Sequence, residues 1–382
     1  MKIIPQKFKI DYHFPVYFVD TLFESGENYL QKIFNECGIT EESKFLFVID
    51  GNLIKKNNTL IPGIELFFQL HAYKLAGAPL IIPGGEAAKI DFAVTHKILE
   101  AINNYGIDRH SYVVGIGGGA VLDVAGFAAA IAHRGIRHIR IPTTVLSQND
   151  SGVGVKNSIN YFGKKNFIGT FAPPFLVINN NAFLNNLSDR DYRCGIPEAI
   201  KVGLIKDAAF FDFIETFTEK LNQRDDETIR KLIFRCAELH LQHIAGNDPF
   251  EKGNSRPLDY GHWSAHKLEQ LSNYKILHGE AVAMGICLDA VYANLIGMLS
   301  KDELMRIINL IKILRFNIYA AEMEKTDDNG KNLMIEGLQE FREHLGGRLT
   351  IMLIKKIGVG VEVNEMDESL VKSSITFLKK IQ

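Results

Sequence analysis

Residues 111–133 read "SYVVGIGGGAVLDVAGFAAAIAH". The first six residues after Ser111 are apolar or glycine and rich in β-branched side chains, the composition of a buried strand. Gly115 and Gly117 fall within it, Gly118 and Gly119 follow, and an alanine-rich helical pattern opens at once. Glycine at a strand-to-helix turn lets a ligand approach the backbone. The helix start supplies unpaired N–H groups and the positive end of a dipole. A pyrophosphate suits that place, and so does a plain tight turn. Ala120 stands where the last glycine of GxGxxG is expected, and "HRGIRHIR" lacks the acidic residue expected about twenty positions on.

The neighbouring segments repeat this alternation. "PVYFVD", "KFLFVIDGN", "GAPLIIPGG" and "IRHIRIPTT" read as strands, while "AKIDFAVTHKILEAINNYGI" reads as a helix stopping at Gly106. Continuous apolar strands alternating with helices predict a parallel sheet covered on both faces. Beyond about residue 182 long helical patterns take over, for example "DETIRKLIFRCAELHLQHIAG" and "EAVAMGICLDAVYANLIGMLS", and "RLTIMLIKKIG" returns to strand character. The expected fold class is α/β: a sheet domain over residues 1–181, then a mostly α-helical domain over 182–382.

Composition narrows the function classes. The chain has 382 residues, 46% hydrophobic and 23% charged, with net charge −2. That is the balance of a globular enzyme-sized protein, and it gives no sign of a nucleic-acid or membrane partner. Cys37, Cys194, Cys236 and Cys287 show no CxxC spacing, which argues against a disulfide scaffold or a cysteine zinc site and fits a reducing compartment. The opening residues "MKIIPQKFKIDYHF" carry no apolar signal core, and no run of 18 apolar residues occurs. The expected location is the cytoplasm.

Three further stretches carry chemistry. In "RPLDYGHWSAHKLEQLSNYKILHGEAVAMG", residues 256–285, His262 and His266 fall on one helix face and His278 follows beside Gly279 and Glu280. Imidazoles at this spacing, with a carboxylate from elsewhere, suit a catalytic zinc with an open position; packed or solvated histidines are the plainer reading. His240 and His243 carry the same ambiguity. In "NDSGVGVKNSINYFGKKNFIG", residues 149–169, Asp150, Lys156, Lys164, Lys165 and Asn166 lie among four glycines. Lysines on a glycine-rich loop suit a phosphate-bearing substrate, although a solvated basic loop has the same look. "GIPEAIKVGLIKD" sets Glu198 and Lys201 one helical turn apart among apolar residues: a surface pair, or a pair facing a cleft.

Taken in order, these motifs resemble the sugar phosphate cyclases, whose type member is 3-dehydroquinate synthase. The resemblance runs from about residue 15 to about 365. It rests on Gly-Gly-Gly with Asp123, Arg134-Gly, Pro-Thr143-Thr144, Asp150-(x5)-Lys156, Lys165-Asn166, Pro-Glu198-Ala-x-Lys201, Gly-His262-(x3)-His266 and His278-Gly-Glu-Ala-Val. It implies a Rossmann-like N-terminal domain, a helical C-terminal domain, NAD, and a divalent metal (zinc or cobalt). By resemblance Glu198, His262 and His278 are the metal ligands. Asp50, Asn52, Glu86, Lys89, Gly117, Gly118, Gly119, Asp123, Thr143 and Thr144 match positions that hold NAD. Asp150, Lys156, Lys165, Asn166, Lys201, Arg256 and His266 match the substrate site. Arg134 matches an arginine that reaches the neighbouring subunit's phosphate site, which implies a homodimer. The implied reaction oxidises one alcohol of a seven-carbon ketose phosphate, eliminates phosphate, reduces the ketone back, and closes a carbocycle by intramolecular aldol addition.

The chain departs from the type member where a substrate would be read. "DSGVGVK" and "RPLDYGH" look more like the sedoheptulose 7-phosphate cyclases of the 2-epi-5-epi-valiolone synthase type, as does "EFREHLGGRLT". Asp259 replaces an asparagine, Arg256 sits one residue closer to His262, and a lysine expected upstream is absent from "HLQHIAGNDPFE". His266 is kept as in the synthase. The main expectation is a 3-dehydroquinate synthase-like lyase acting on 3-deoxy-arabino-heptulosonate 7-phosphate, with sedoheptulose 7-phosphate as the alternative. A metal-dependent polyol dehydrogenase and an inactive binding protein are the rivals from other classes.

Overall fold

The strand–glycine–helix unit forms as the sequence predicts: β5 (Tyr112–Gly117) runs into α5 (Gly119–Ile131) through Gly118. The computed structural model describes residues 1–23, 29–246, 248–250, 258–344 and 349–382. Contacts divide the chain into two compact units. One comprises Met1–Pro142 with Val155–Asn180; the other comprises Thr143–Gly154 with Asn181–Gln382.

The first unit is built on a seven-stranded parallel sheet. Its members are β1 (Val16–Val19), β2 (Lys44–Asp50), β3 (Lys74–Leu75), β4 (Leu80–Ile82), β5, β6 (Arg137–Pro142) and β9 (Leu176–Asn180), in the order β1-β9-β6-β5-β2-β3 with β4 also on β2. Its helices are α1 (Tyr29–Glu36), α2 (Gly51–Lys56), α3 (Leu60–Leu70), α4 (Ala93–Asn104) and α5. β5 is buried at every position, consistent with cover on both faces. Pairing of Ile49 with Ile116 and of Gly117 with Pro142 aligns the carboxyl ends of β2, β5 and β6, the edge at which open parallel sheets bind ligands.

The basic stretch after β6 is not one loop. Residues Ser147–Ser151 form a π-helical turn. β7 (Lys156–Tyr161) and β8 (Lys164–Phe171) then pair as an antiparallel hairpin. Phe162 and Gly163 both take positive φ, 52° and 71°. That is the two-residue hairpin geometry usually signalled by Asn-Gly, so Phe162 hides the turn from a sequence reading.

The second unit is mostly helical: α6 (Asp189–Arg193), α7 (Ile196–Lys206), α8 (Ala208–Thr216), α9 (Thr218–Asn222), α10 (Asp226–Ile244), α11 (His262–Leu271), α12 (His278–Leu295), α13 (Lys301–Ile313), α14 (Leu333–His344) and α15 (Glu368–Ile381). A hairpin of β10 (Ile351–Lys356) and β11 (Val359–Val363) accompanies them. α12 is buried almost all round, from Gly279 to Ala293, because other helices enclose it. No helix among the described residues is long and apolar enough to cross a membrane.

Candidate metal centre and nucleotide cradle

In the second unit three helix starts converge. Glu198 lies in the first turn of α7, His262 opens α11 and His278 opens α12. Local sequence explains each placement. Gly261 adopts φ 77°, which sets the entry to α11. A Cβ on Gly285 would lie 2.1 Å from the Gly261 carbonyl oxygen, so α12 approaches α11 closely only with glycine there. A Cβ on Gly279 would lie 1.9 Å from the Cys194 oxygen. Glu280 caps α12, its Oε2 accepting from the Leu277 N–H at 2.9 Å, and it also accepts from Arg190. Its role is structural.

The three donors fit a cation. Glu198 Oε1 lies 3.4 Å from His262 Nε2 and 3.1 Å from His278 Nε2. Bonds of about 2.0–2.1 Å at tetrahedral angles put ligand atoms about 3.3 Å apart. The outer contacts agree with that fit. His262 Nδ1 faces the Tyr260 carbonyl at 3.0 Å, and a carbonyl only accepts, so Nδ1 carries the proton. His278 Nδ1 faces Glu269 Oε2 at 3.0 Å. In the neutral rings both Nε2 lone pairs then point at the Glu198 carboxylate. Three electron pairs facing one another call for a cation between them.

His266 joins the cluster from the same face of α11, its ring 5.6 Å from that of His262 and 5.9 Å from that of His278. His266, Glu269 and His278 form a second group of metal-type donors. A cation fits the Glu198 group better, because Glu269 already engages His278 through Nδ1.

A line of charges leads away from this centre. Lys201 Nζ is 2.5 Å from Glu198 Oε2 and 3.9 Å from Asp150 Oδ1, and both Lys201 and Glu198 are fully buried. Burial opposes the ionisation of Glu198, but Lys201 and His262 outweigh it and hold the carboxyl well below its usual range. Burial likewise opposes the Lys201 ammonium, and Glu198, Asp150 and, in smaller part, Asp259 keep it above the ordinary lysine range. Asp150, opposed by burial and favoured by Lys201 and His240, is lowered to about 2. The 147–151 turn is docked on α7 through Asn149, which donates to the Gly195 carbonyl at 2.8 Å. Thr143 is buried just before that turn, and Thr144 meets Ser147 at 2.9 Å.

The first unit carries the expected nucleotide residues other than Thr143 and Thr144. α5 starts without a side-chain cap. Asp50 ends β2 and accepts from the Asn52 N–H at 2.8 Å. A Cβ on Gly84 would lie 2.1 Å from Asp50 Oδ1 and 2.6 Å from Asn52 Nδ2, and one on Gly117 would strike Val121 at 2.7 Å. The glycines thus leave a cradle at the ends of β2, β4 and β5 that suits a dinucleotide's close approach. Lys89 is buried. It bridges Asp123, Asn166 and Ser158, the last at 2.9 Å. Glu86 accepts from Asn160 at 2.9 Å and has Lys165 at 3.7 Å.

Lys156 and Arg134 are exposed; Arg134 takes φ 62° after α5. Arg256 lies outside the described residues. Sequence reasoning missed Glu269, the Tyr260 carbonyl and Asp289. Asp289 is buried and accepts from the Gly261 N–H at 3.0 Å and from Trp263 Nε1 at 2.8 Å, on either side of His262. Glu269 follows His266 by three residues, a helical spacing that could have flagged it.

Comparison with known proteins is consistent with both groups of residues. Residues 79–194 match the family model "3-dehydroquinate synthase N-terminal" and residues 195–333 match "3-dehydroquinate synthase C-terminal". The 3-dehydroquinate synthase of Vibrio atlanticus (strain LGP32) is 32% identical over 351 residues, 90% of this chain and 95% of that protein. Among solved structures, ValA (2-epi-5-epi-valiolone synthase) of Streptomyces hygroscopicus subsp. jinggangensis 5008, with NAD+ and Zn2+ bound, superposes with a TM-score of 0.88 at 25% identity, covering 99% of this chain and 100% of that one. A 2-deoxy-scyllo-inosose synthase shares the fold, with a TM-score of 0.78 at 23% identity over 94% of this chain and 95% of the other.

Proposed function

The chain belongs to the 3-dehydroquinate synthase-like family of sugar phosphate cyclases, and from that premise we propose that it cyclises a seven-carbon ketose phosphate without a carboxylate, sedoheptulose 7-phosphate in the first instance. The observation that carries the substrate choice is Asp259. Its charge reaches Lys201 in the metal-bearing unit, where the type member has a neutral asparagine. A substrate carboxylate placed there would meet an added anion, and like-charge juxtaposition is costly in a desolvated site. The similarity to ValA supports the same choice.

Glu198, His262 and His278 hold the divalent metal, zinc or cobalt, and Asp50, Asn52, Glu86, Lys89, Gly117, Gly118, Gly119, Asp123, Thr143 and Thr144 serve NAD. When bound, these groups supply a Lewis acid and a reversible acceptor of the substrate's carbinol hydrogen. The chain's own residues do the rest. Lys201 and Asp150 offer a buried donor and acceptor to substrate hydroxyls. Lys156, Lys165 and Asn166 bind the phosphate and stabilise its departing charge, joined by Arg134 of a second copy in a homodimer. His266 and Arg256 complete the substrate reader. Residues 1–181 serve the nucleotide and also carry Asp150 and the phosphate-binding residues, and residues 182–382 carry the metal and the rest of the substrate reader, in the cytoplasm.

A second reading, turnover of 3-deoxy-arabino-heptulosonate 7-phosphate, is favoured by the 32% identity to a 3-dehydroquinate synthase. Inorganic phosphate release with NAD and zinc or cobalt, from the two heptulose phosphates in parallel, separates them. Release from sedoheptulose 7-phosphate alone supports the proposal, and release from the carboxylated sugar alone overturns it. Net NADH accumulation without phosphate release identifies a polyol dehydrogenase instead.

A further inference from the structure

Asp289 lies on α12 and holds the entry to α11 with both of its oxygens. Oδ2 accepts from the Gly261 N–H at 3.0 Å, and Oδ1 accepts from the Trp263 indole N–H at 2.8 Å. The two donors flank His262 in the chain. A third tie runs beside them, from the Tyr260 hydroxyl to the Ile286 carbonyl at 3.3 Å. Tyr260 is also the residue whose own carbonyl faces His262 Nδ1. Tyr260, Trp263, Ile286 and Asp289 are all fully buried. The face of α12 that makes these contacts continues to the metal centre. His278, Gly285 and Asp289 recur at i, i+7 and i+11, on one face of the helix. His278 turns Nε2 to Glu198, Gly285 admits the Gly261 carbonyl, and Asp289 grips both sides of His262.

Resting on the metal-dependent cyclase reading, we infer that Asp289 is a positioning residue for the metal ligand His262. His262 is the first residue of α11, and α11 starts without a side-chain cap of its own. The carboxyl group of the neighbouring helix fixes that start instead. It ties the backbone before His262 and the side chain after it to the helix that carries His278, so the two Nε2 atoms keep their spacing as one body. A metal site needs its ligands held to within about 0.5 Å. The residue type suits the task. Two buried N–H groups need two acceptors, and a carboxyl group brings two oxygens where an amide brings one. Helix packing alone would be served at lower cost by an apolar side chain, because burying a carboxyl group is unfavourable.

The test compares wild type, Asp289→Asn and Trp263→Phe. Asp289→Asn leaves one of the two N–H groups without an acceptor. Trp263→Phe removes the indole donor and keeps an aromatic ring. Zinc affinity is measured by titration against a chelator, and ligand geometry by the visible absorption of the cobalt-loaded proteins, both at a temperature where each protein is folded. Each variant is expected to bind zinc about tenfold more weakly and to show shifted cobalt bands. A change that only loosened helix packing would lower the melting temperature and leave the folded protein's metal site alone. Wild-type zinc affinity or wild-type cobalt bands in the folded variants therefore overturn the inference. If Asp289→Asn does not fold, Trp263→Phe decides by the same two readings. If wild type takes up neither ion, the metal reading fails by itself, and the metal-free protein decides through the His262 Nδ1 proton that faces the Tyr260 carbonyl. Faster solvent exchange of that proton in Trp263→Phe, read by proton–nitrogen NMR, then supports the inference, and an unchanged rate overturns it. None of these readings uses phosphate release, so failure of the cyclase reading does not alter them.

Discussion

Glu269 Oε2 stands 3.0 Å from His278 Nδ1, and this contact decides which nitrogen of His278 faces Glu198. Glu269 is buried in the last turn of α11 and His278 opens α12, so the pair ties the end of one helix to the start of the next while setting a tautomer. The Tyr260 carbonyl does the same for His262. Outer contacts of this type commonly govern metal affinity as strongly as the choice of ligands does.

Glu269→Ala is therefore expected to weaken zinc binding about 10–100-fold. Leaving the His278 N–H without its acceptor should also cost about 1–3 kcal/mol of stability. Metal content after dialysis against a graded chelator measures the first effect and urea unfolding the second. Wild-type zinc retention at every chelator concentration would refute the assignment of Glu269 as the orienting group.

Gly195→Ala should separate the 147–151 turn from α7. The new Cβ would lie 2.3 Å from the Leu146 nitrogen and 2.5 Å from Val145 Cγ1, contacts that backbone must move to relieve. Such overpacking costs roughly 1–3 kcal/mol. The expected outcome is a lower urea midpoint together with weaker sugar phosphate binding, since Asp150 rides on the displaced turn. A midpoint equal to wild type would show that the junction is looser than these distances state.

Asp289 gives a pH signature. Burial raises its carboxyl to about 7, against the opposing hydrogen bonds from Trp263 and Gly261. The folded state thus favours the neutral acid. Its contribution is fully present below the unfolded carboxyl value near 4 and is lost as pH rises through about 7, on the order of 4 kcal/mol at the limit. Asp289→Asn should abolish that slope. Melting temperatures of both proteins from about pH 4.5 to about 8 test it, and parallel curves would sink the claim.

Asp259→Asn removes the anion that reaches Lys201. The ratio of kcat/KM for the carboxylated over the non-carboxylated heptulose phosphate should rise at least about tenfold, the equivalent of roughly 1.4 kcal/mol. Competition assays with both sugars read that ratio directly. An unchanged ratio would place the discrimination elsewhere.

The parts of this molecule legible in its sequence are those whose partners are near in the chain. β5, Gly118 and α5 were readable because a strand, a turn and a helix start declare themselves within twenty-odd residues. Glu198 and Lys201 were readable as a helical pair, and they are one. Spacing alone left the histidines open between metal and packing. The structure sets them beside groups that spacing does not connect, the Tyr260 carbonyl and the Glu198 carboxylate, and that setting fits a cation. His240 shows the limit most clearly: its spatial neighbour Asp150 lies far away in sequence, on a turn whose π-helical form no periodicity announces. The hairpin of β7 and β8 was hidden for a different reason, an aromatic residue at a turn position that glycine or asparagine usually marks.

The chain enters the second unit at Thr143, leaves it at Val155, and returns for good at Asn181. The two units are consequently not separable by a single cut. A fragment ending near residue 181 would carry Val145, Ser147, Gln148, Asn149 and Val153, all buried in the whole protein, without the α7 and α10 surfaces that shelter them. The complementary fragment would start with a hole where Asp150 belongs. Gene fusions, permuted variants and split reporters built from this protein must keep that short excursion with the helical half, by grafting residues 143–154 and not by truncation.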